Sequence, residues 1–188
     1  MTAKKYVVLK NFVNTDYFLQ IAKQNEASPS KIGKLVDPLK KRRMDQLFSD
    51  DIISSIDKII YRKAKKIIYD YFQIHINYRE PWKIGFYSSE DEGYYNSHTD
   101  TQGNFEHRRI SMSICLTDRS EYKGGLLRFP NLNQELRLNK GDVCFFKSSL
   151  LHEVTPVTEG LRTVLIGFFI SKLPPINSVL NNPRINYK

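Results

Sequence analysis

The pattern of apolar and polar positions changes character near Pro81. Before this point, the longest regular pattern runs from residue 49 to residue 72. It places apolar side chains three and four positions apart, at Ile52, Ile53, Ile56, Ile59, Ile60, Ala64, Ile67, Ile68 and Tyr71. That spacing predicts an amphipathic helix, with Ser49 or Asp50 as its cap and acidic residues in its first turn. We interpret its apolar stripe as a surface that packs against a sheet.

Two shorter elements and a polar segment precede this helix. The stretch "YVVLKNF", residues 6–12, is typical of a strand. The stretch "NTDYFLQIAKQNEA" predicts a short helix that is capped by Asn14 or Thr15. Residues 28–48 are polar and interrupted by proline and glycine, so they predict a long loop.

Beyond Pro81 the chain consists of short runs that are typical of strands, separated by Gly, Asn, Asp or Pro. The runs are "WKIGFYS", "RRISMSICLT", "GGLLRFP", "QELRLNKG", "DVCFFKS", "LHEVTPV" and "LRTVLIGFFIS". In the second run, large and small side chains alternate: Ile110, Met112, Ile114 and Leu116 against Ser111, Ser113, Cys115 and Thr117. One face is therefore suited to a core, and the other is small enough to line a cavity. Helices first and strands afterwards predict an α+β fold, with a sandwich or barrel in a single domain over residues 1–188.

Composition limits the class of protein without assigning a function. The chain has 188 residues, of which 40% are hydrophobic, which suits a well-filled core and argues against disorder. No run of about 18 apolar residues is present, so no membrane partner is expected. The start, "MTAKKYVVLKNF", lacks the apolar region of a signal peptide. Cys115 and Cys144 lie in apolar runs, which predicts buried, reduced thiols and a cytoplasmic location.

The net charge of +9 is the strongest deviation in composition. It would assist the approach of an acidic peptide or a nucleic acid. The basic residues are nevertheless spread along the chain, and the one dense run is "LKKRRMDQ", residues 39–46. Charge runs commonly serve solubility, so this run is interpreted as a solvated loop, with a substrate-binding surface as the alternative. The charge alone does not identify a partner.

Candidate chemistry begins in "YYNSHTDTQG", where His98 and Asp100 point to one side of an extended backbone. By itself His-x-Asp suits an ordinary hydrogen-bonded pair, because a metal site needs a full ligand set. His152 in "LLHEV" supplies a third ligand. Two histidines and one carboxylate leave three positions of an octahedral ion open, as in non-haem Fe(II) oxygenases. Arg162 follows ten residues later and offers a two-pronged grip for a carboxylate.

Position for position, "HTD", "LLHEV" and "GLR" resemble the motif of the 2-oxoglutarate and Fe(II)-dependent oxygenases. The segments "FYSSEDEGYYNSH", "RRISMSICLTD", "YKGGLLRFP", "KGDVCFF" and "HEVTPVTEGLR" resemble the prolyl 4-hydroxylase-like branch in the same order. This resemblance covers residues 83–170. It implies a double-stranded β-helix (jelly-roll, cupin-like) core over residues 81–172. Residues 1–80 would then form a helical support, and residues 173–188 a C-terminal tail.

The resemblance also implies the composition of the site. Fe(II) would be held by His98, Asp100 and His152, and 2-oxoglutarate by Arg162. Further residues implied to bind the co-substrate are Tyr87, Tyr95, Ser111, Ser113, Cys115 and Leu127. Dioxygen is implied as the second co-substrate, and ascorbate is allowed as a further cofactor. The chain departs from many relatives at Cys115, where they have tyrosine, and at Phe168, where they often have tryptophan.

The implied reaction couples oxidative decarboxylation of 2-oxoglutarate, with release of succinate and CO2, to hydroxylation of a C–H bond. A prolyl residue in a peptide or protein is the expected substrate. Alternatives are a free amino acid or other small metabolite, a nucleic-acid demethylase, and a non-catalytic jelly-roll binding protein. Nucleic acid is disfavoured, because demethylases of this kind carry a second arginine where this chain has Phe168. The intact ligand set and Arg162 argue against a purely binding protein. The oligomeric state is left open.

Residues close to these motifs receive simpler interpretations. His107 fits no ligand position and is expected on the surface or in a loop. Arg108 or Arg109 either pairs with an acidic group or contacts substrate, and both readings stay open. Gly124 and Gly125 predict a tight turn that requires positive φ, without contact to a ligand.

Overall fold

The structure is a computed structural model that describes residues 4–24, 28–29 and 39–172. The predicted tail and residues 30–38 of the predicted loop lie outside the described residues. The α-helices of the described chain are α1 (Asp16–Gln24) and α2 (Asp50–Phe72). Its strands are β1 (Tyr6–Leu9), β2 (Ser28–Pro29), β3 (Lys41–Arg42), β4 (Met44–Leu47), β5 (Tyr78–Arg79), β6 (Lys83–Ser88), β7 (Tyr94–His98), β8 (Arg108–Cys115), β9 (Tyr122–Gly124), β10 (Leu127–Phe129), β11 (Gln134–Leu136), β12 (Val143–Lys147), β13 (His152–Val154) and β14 (Val157–Ile170). Short 3-10 helices lie at Gly103–Phe105, Arg119–Glu121 and Pro130–Leu132.

The strands form two antiparallel sheets. The larger sheet has the order β1-β12-β8-β14-β6-β4-β2, with β5 and β9 also paired to β14. The smaller sheet has the order β11-β10-β13-β7-β3. An apolar cluster joins them, with Leu127 and Val154 from the smaller sheet and Phe146, Val164 and Ile166 from the larger one. Two facing sheets of this kind agree with the predicted jelly-roll core.

Helix α2 covers the outer face of the larger sheet, as its apolar spacing predicts. It begins after Ser49, which is the N-cap by position, and Gln73 ends it in the left-handed conformation. Its buried face consists of Ile53, Ile56, Ile60, Ala64, Ile68 and Phe72. These side chains pack in one cluster with Ile84, Ile110 and Met112 of the larger sheet. The helix is therefore a support for the sheet, and burial of its stripe stabilises both elements.

The two faces of β8 separate as the alternation predicts. Ile110, Met112 and Ile114 join the cluster under α2, whereas Cys115 belongs to the cluster between the sheets. Ser111 and Ser113 line a cleft between the sheets. The small side chains of one face thus leave room for the cleft, while the large ones on the other face fill the core.

The prediction of a loop over residues 28–48 is wrong where the structure describes this segment. β2 pairs with β4, β4 pairs with β6, and β3 pairs with β7, so the segment extends both sheets. The basic run is accordingly not a solvated loop: Lys41 is only 6% exposed. Sequence patterns missed these strands because such short strands are fixed by their partners rather than by their own composition.

The cysteines are buried, as their apolar surroundings predict. Cys115 and Cys144 are buried, and neither forms a disulfide. None of the helices among the described residues is both long and apolar enough to cross a membrane.

Candidate active site

Two neighbouring strands of the smaller sheet bring the three candidate metal ligands together. His98 ends β7 and His152 begins β13, and the two residues are paired in the register of these strands. Asp100 follows β7. Its Oδ1 lies 3.5 Å from Nε2 of His98, and its Oδ2 lies 3.4 Å from Nε2 of His152. All three ligand atoms lie within 4.8 Å of one another, so one ion could contact them all.

Each imidazole is oriented by a hydrogen bond to the carbonyl oxygen of the residue two positions before it. Nδ1 of His98 lies 2.8 Å from the carbonyl oxygen of Asn96, and Nδ1 of His152 lies 2.9 Å from that of Leu150. A carbonyl oxygen only accepts, so each Nδ1 carries the proton and donates it. Each Nε2 is then left with a lone pair that faces Asp100, which is the form that binds a metal. Burial also lowers the pKa of His152, which favours the neutral ring.

The carboxylate of Asp100 is held by two serines. Ser111 Oγ donates to Asp100 Oδ2 at 2.6 Å, and the Ser148 Oγ lies 2.9 Å from the Ser111 Oγ. The backbone N–H of Asp100 donates to the carbonyl oxygen of Ser148. Burial would raise the pKa of Asp100, but the neighbouring His152 and His98 hold it well below its usual range. The ligand set therefore presents two neutral nitrogens and one anionic oxygen, which suits a divalent transition metal.

A cleft of about 950 Å³ opens over these ligands, and it gathers most of the predicted co-substrate residues. Its lining includes Tyr87, Tyr95, Ser111, Ser113, Leu127 and Arg162. The Tyr95 ring is stacked on the His98 imidazole, with 3.5 Å between their centroids. The predicted residues thus surround one space.

Arg162 lies on β14, opposite Tyr87 of β6, and is buried. Its guanidinium lies 5.1 Å from the centroid of the Tyr87 ring, and its Nη1 has no hydrogen-bond partner within the described part of the chain. A buried charged donor without a partner is costly, so the atom is suited to receive an anion. A Cβ on Gly125, at φ 59°, would fall 2.7 Å from Arg162 Cδ. Gly125 therefore gives Arg162 its space, besides making the predicted turn with Gly124 at φ 72°.

Cys115 lies behind this site rather than in the lining of the cleft. Its thiol is 3.4 Å from the carbonyl oxygen of Thr117 and 3.5 Å from the hydroxyl of Tyr122. Tyr122 is buried, and Arg162 is among the charges that act on its hydroxyl. The sequence reading did not single out Tyr122, because it is separated from the motif residues by a turn.

A buried ion pair supports the ligand segment from below. The Arg108 guanidinium donates to both oxygens of Glu80 at 2.6 Å, and its Nη1 donates to the carbonyl oxygen of Asp100 at 3.3 Å. It lies between the rings of Phe105 and Phe168, 3.9 and 3.7 Å from their centroids. Of the two readings left open for Arg108, the pairing with an acidic group is thus correct.

His107 joins the same ion pair. It lies in the turn before β8, as expected, but its side chain is 6% exposed and its Nε2 is 3.2 Å from Glu80 Oε1. The expectation of a solvent-facing residue fails because Glu80, which is 27 positions away, supplies a buried partner.

Arg43 and Lys83 line the cleft as well. Arg43 belongs to the basic run for which a substrate-binding surface was the alternative interpretation, whereas Lys83 was not singled out from the sequence. Arg43 donates to the Tyr87 hydroxyl at 2.9 Å and to Asp45 through Nε at 2.6 Å. A Cβ at Gly85 would lie 2.8 Å from Arg43 Cδ, so the absent side chain makes room for Arg43. Lys83 lines the cleft beside them. The only available signal was the basic run itself, and its pairing with β6 and β7 was not visible in the sequence.

Two facing sheets, with two histidines and an aspartate beside a buried arginine, define a jelly-roll protein with a candidate site for one metal ion. Residues 83–170 match the sequence model of the 2OG-Fe(II) oxygenase superfamily, so just under half of the chain is similar to that superfamily. The recognition made from its motifs is confirmed.

Individual proteins agree with this assignment. The chain is 34% identical over 86 residues to a PKHD-type hydroxylase of Synechococcus sp. (strain CC9311), covering 44% of this chain and 39% of that protein. It thus spans less than half the length of this curated relative. The viral collagen prolyl hydroxylase of Paramecium Bursaria Chlorella virus-1, in its 2OG complex, superposes with a TM-score of 0.68 at 18% identity, covering 90% and 97% of the two chains. A prolyl hydroxylase from Trichoplax adhaerens, in complex with a peptide fragment, gives 0.68 at 16% identity, covering 89% and 84%. These likenesses confirm the predicted fold.

Proposed function

We propose that this chain is an Fe(II)- and 2-oxoglutarate-dependent dioxygenase, with residues 1–188 as one oxygenase domain. It hydroxylates an unactivated C–H bond of a prolyl residue in a peptide or protein, with release of succinate and CO2. The observation that carries the proposal is the convergence of His98, Asp100 and His152 in one cleft with Arg162, whose Nη1 has no partner among the described residues.

The donor set fits Fe(II). His98 and His152 offer lone pairs on Nε2, and Asp100 offers a carboxylate that Ser111 keeps in place. Bound Fe(II) would supply the activation of dioxygen, coupled to oxidative decarboxylation of 2-oxoglutarate. The protein's own task is to hold the three ligands on one side of the ion, so that the opposite side stays open.

The co-substrate fits the partnerless arginine. 2-Oxoglutarate carries a distal carboxylate, and Arg162 can give it charge-assisted hydrogen bonds. Tyr87 covers the guanidinium, and Arg43 fixes the Tyr87 hydroxyl. Leu127, Val164 and Ile166 add apolar surface to the cleft. This apolar surface beside the ligands limits the water that reaches the reacting groups.

The substrate class rests on the relatives and on the shape of the site. PKHD-type hydroxylases and prolyl hydroxylases are similar to this chain, and one of the latter was solved with a peptide. The cleft also extends past the ligands towards Gln102, Asn104 and Phe105, which leaves room for an extended segment. A peptidyl substrate is consistent with both observations.

A free amino acid or small metabolite is the second candidate, because the cleft carries cations that suit a compact carboxylate. Nucleic acid is not favoured. Arg43 and Arg108 line the cleft, but each is engaged by a carboxylate of the protein itself, so neither is available for a phosphate backbone.

Succinate formation tests the proposal. The wild-type chain is incubated with Fe(II), 2-oxoglutarate and dioxygen, alone and with a prolyl-peptide library, a metabolite panel or methylated oligonucleotides. Prolyl peptides are expected to stimulate succinate release and to gain one oxygen atom by mass spectrometry. His152→Ala serves as the inactive control. Stimulation by metabolites alone or oligonucleotides alone would replace the peptide assignment, and the absence of succinate under all conditions would contradict the dioxygenase.

A further inference from the structure

Arg43, Lys83 and Arg108 line one side of the cleft, and Asp45 and Glu80 pair with the two arginines. We call these five charged residues the basic wall. Within it, each arginine has a carboxylate. Arg43 donates to both oxygens of Asp45, at 2.6 and 3.1 Å. Arg108 donates to both oxygens of Glu80, at 2.6 Å each. Both pairs are buried, so each forms a nearly neutral unit.

Lys83 lies between these two pairs and has no carboxylate of its own. Its Nζ is 3.7 Å from Asp45 Oδ2, an oxygen that Arg43 already engages. The described residues offer Lys83 no shorter ion pair or hydrogen bond. Its Nζ also lies 5.3 Å from the centroid of the Phe168 ring. Lys41 of β3 lies nearby, with its Nζ 4.8 Å from the centroid of the Tyr95 ring, and it also acts on Asp45. Among the five residues of the wall there are three cations and two carboxylates, and Lys83 is the cation whose nearest carboxylate is already engaged.

This charge is held out of water at an energetic cost. The Lys83 side chain is only 14% exposed. Burial lowers its pKa to about 8; Asp45 and Glu80 act against the shift, and Arg43 and Arg108 add to it. Burying an ammonium group with an incomplete partner is unfavourable unless another anion completes it. Since Lys83 lines the cleft of the metal ligands, such an anion would have to enter through that cleft.

The metal end of the cleft does not need this charge. If the proposed function holds, a divalent ion and the dianion of 2-oxoglutarate cancel each other, and Asp100 and Arg162 cancel as well. The two histidines would bind the ion as neutral rings through Nε2, because their Nδ1 atoms face carbonyl oxygens. An anion that pairs with Lys83 would therefore come from the prime substrate, which is the other molecule that enters the cleft.

We propose that Lys83 forms an anion subsite that binds a carboxylate of the prime substrate. This inference rests on the proposed function and adds a substrate class to it: an acidic substrate. The carboxylate belongs either to an Asp or Glu side chain next to the target residue of a peptide, or to the main chain of a free amino acid. In both cases the Lys83 ammonium, which stands between two internally paired arginines, is the recognising group.

Binding to the full chain tests the subsite without turnover. The protein is loaded with Zn(II) and 2-oxoglutarate, and calorimetry at pH 7 compares acetyl-Ala-X-Pro-X-Ala-amide peptides in which X is Glu or Gln. L-Proline and L-prolinamide form a second pair of probes, which differ in the main-chain carboxylate. The variants are Lys83→Met, which removes the charge, and Lys83→Arg, which keeps it. Lys123→Met is the matched control, because Lys123 is 70% exposed and pairs with Glu159 outside the cleft.

The wild type is expected to bind the acidic member of at least one pair tenfold or more tightly than the amide. Lys83→Met should remove this preference by weakening the acidic ligand, with the amide within about twofold, whereas Lys83→Arg and Lys123→Met should keep it. A preference in the peptide pair assigns the carboxylate to a side chain, and a preference in the proline pair alone assigns it to a free amino acid. The preference should also fade as the pH rises above about 8, because Lys83 then loses its proton.

Two results would overturn the subsite: no preference in the wild type, or a preference that persists in Lys83→Met. Thermal unfolding distinguishes a binding role of Lys83 from a purely structural one. Removal of an incompletely paired buried charge should leave the melting temperature of Lys83→Met equal to or above that of the wild type. A lower melting temperature, with both ligands weakened equally, would also overturn it. Failure of the wild type to bind 2-oxoglutarate with Zn(II) would instead count against the proposed function itself.

Discussion

The ligand cluster and the basic wall lie in the same cleft, but they are built over very different distances along the chain. In the ligand cluster, each histidine is oriented by a carbonyl oxygen two residues before it. In the basic wall, the pair of Arg43 and Asp45 is also local, but Arg108 contacts Glu80 over a separation of 28 positions, and Lys83 approaches Asp45 across the pairing of β6 with β4. The orientation of each histidine ring is therefore local, whereas the charge balance of the wall depends on which strands are paired.

Substitutions in the two regions should therefore have different effects, on chemistry in one and on stability in the other. Loss of a ligand should remove chemistry and leave the fold, because the ligand side chains lie at strand ends beside open space. Loss of a paired wall residue, such as Arg108, should weaken the fold, because it leaves a buried charge without its partner. The following changes test that division, from the largest expected effect to the smallest.

Removal of a ligand should have the largest effect. His98→Ala, Asp100→Ala or His152→Ala is expected to weaken Fe(II) binding by more than about a hundredfold, beyond the 10–100-fold typical of outer-shell changes. Calorimetry under anaerobic conditions measures it. His75→Ala is the control, because this exposed histidine packs on Tyr69 away from the cluster. Tight Fe(II) binding by any of the three variants would remove that residue from the ligand set.

Removal of Arg108 should have the largest effect on folding. Arg108→Met leaves Glu80 buried without its main partner, so the free energy of unfolding should fall by about 3–5 kcal/mol. Urea denaturation measures it, with Arg62→Met on the exposed face of α2 as control. A loss below 1 kcal/mol would mean that the cleft admits water to Glu80.

The pH dependence of stability sharpens this test. Burial alone would raise the pKa of Glu80, but Arg108 and His107 lower it to about 2, from 4.5 for an unperturbed group. A carboxylate with a depressed folded-state pKa contributes stability that is present above about pH 4.5 and is lost as the pH falls towards 2. The stability difference between wild type and Arg108→Met should therefore shrink in that window.

Removal of Arg162 should impair co-substrate binding but leave the metal. Truncating one partner of a buried charge pair costs roughly 2–5 kcal/mol, so Arg162→Ala should weaken 2-oxoglutarate binding at least about tenfold. Titration of the Zn(II)-loaded protein measures it, and the Zn(II) affinity serves as the internal control. An unchanged constant would place the anchor for the co-substrate elsewhere in the cleft.

Removal of Arg42 should have the smallest effect, although it neighbours Arg43 in sequence. The Arg42 side chain is 40% exposed and pairs with the exposed Glu92 at 2.7 Å, whereas the Arg43 side chain is 6% exposed. Exposed pairs contribute about 0–1 kcal/mol, so Arg42→Ala should change the unfolding free energy by less than that. The change in unfolding free energy caused by Arg42→Ala should become smaller still in high salt. A cost comparable to that of Arg43→Ala would contradict the contrast between the two neighbours.

The sequence predicted the elements whose patterns repeat within a short window. The spacing along α2 and the alternation of β8 were sufficient, because a helix stripe or a strand face is a local property. The metal ligands and Arg162 were also accessible, since chemistry restricts both their residue types and their spacing. The match to residues 83–170 agrees with that reading.

The strands β2, β3 and β4 could not be predicted in the same way. They are two to four residues long and show no alternation of apolar and polar residues that would mark a strand. Such segments become strands because β6, β7 and then β4 offer them open edges, and that opportunity is a property of the assembled sheets. The burial of Lys41 and Arg43 was missed for the same reason, and that of His107 because Glu80 lies far away in sequence.

The sequence by itself determined which side chains could hold a metal and a carboxylate, because the residue types of the ligands and the alternation of a strand can both be recognised in short stretches of sequence. Only the tertiary structure decided which charges are compensated. Arg43 meets Asp45 only two positions away, but Glu80 reaches Arg108 across 28 positions. The pairing of β4 with β6 then brings Lys83 beside an Asp45 that Arg43 already engages. The energy of a buried charge depends on all groups within a few ångströms. Those neighbours are set by the packing of the sheets, not by their order along the chain.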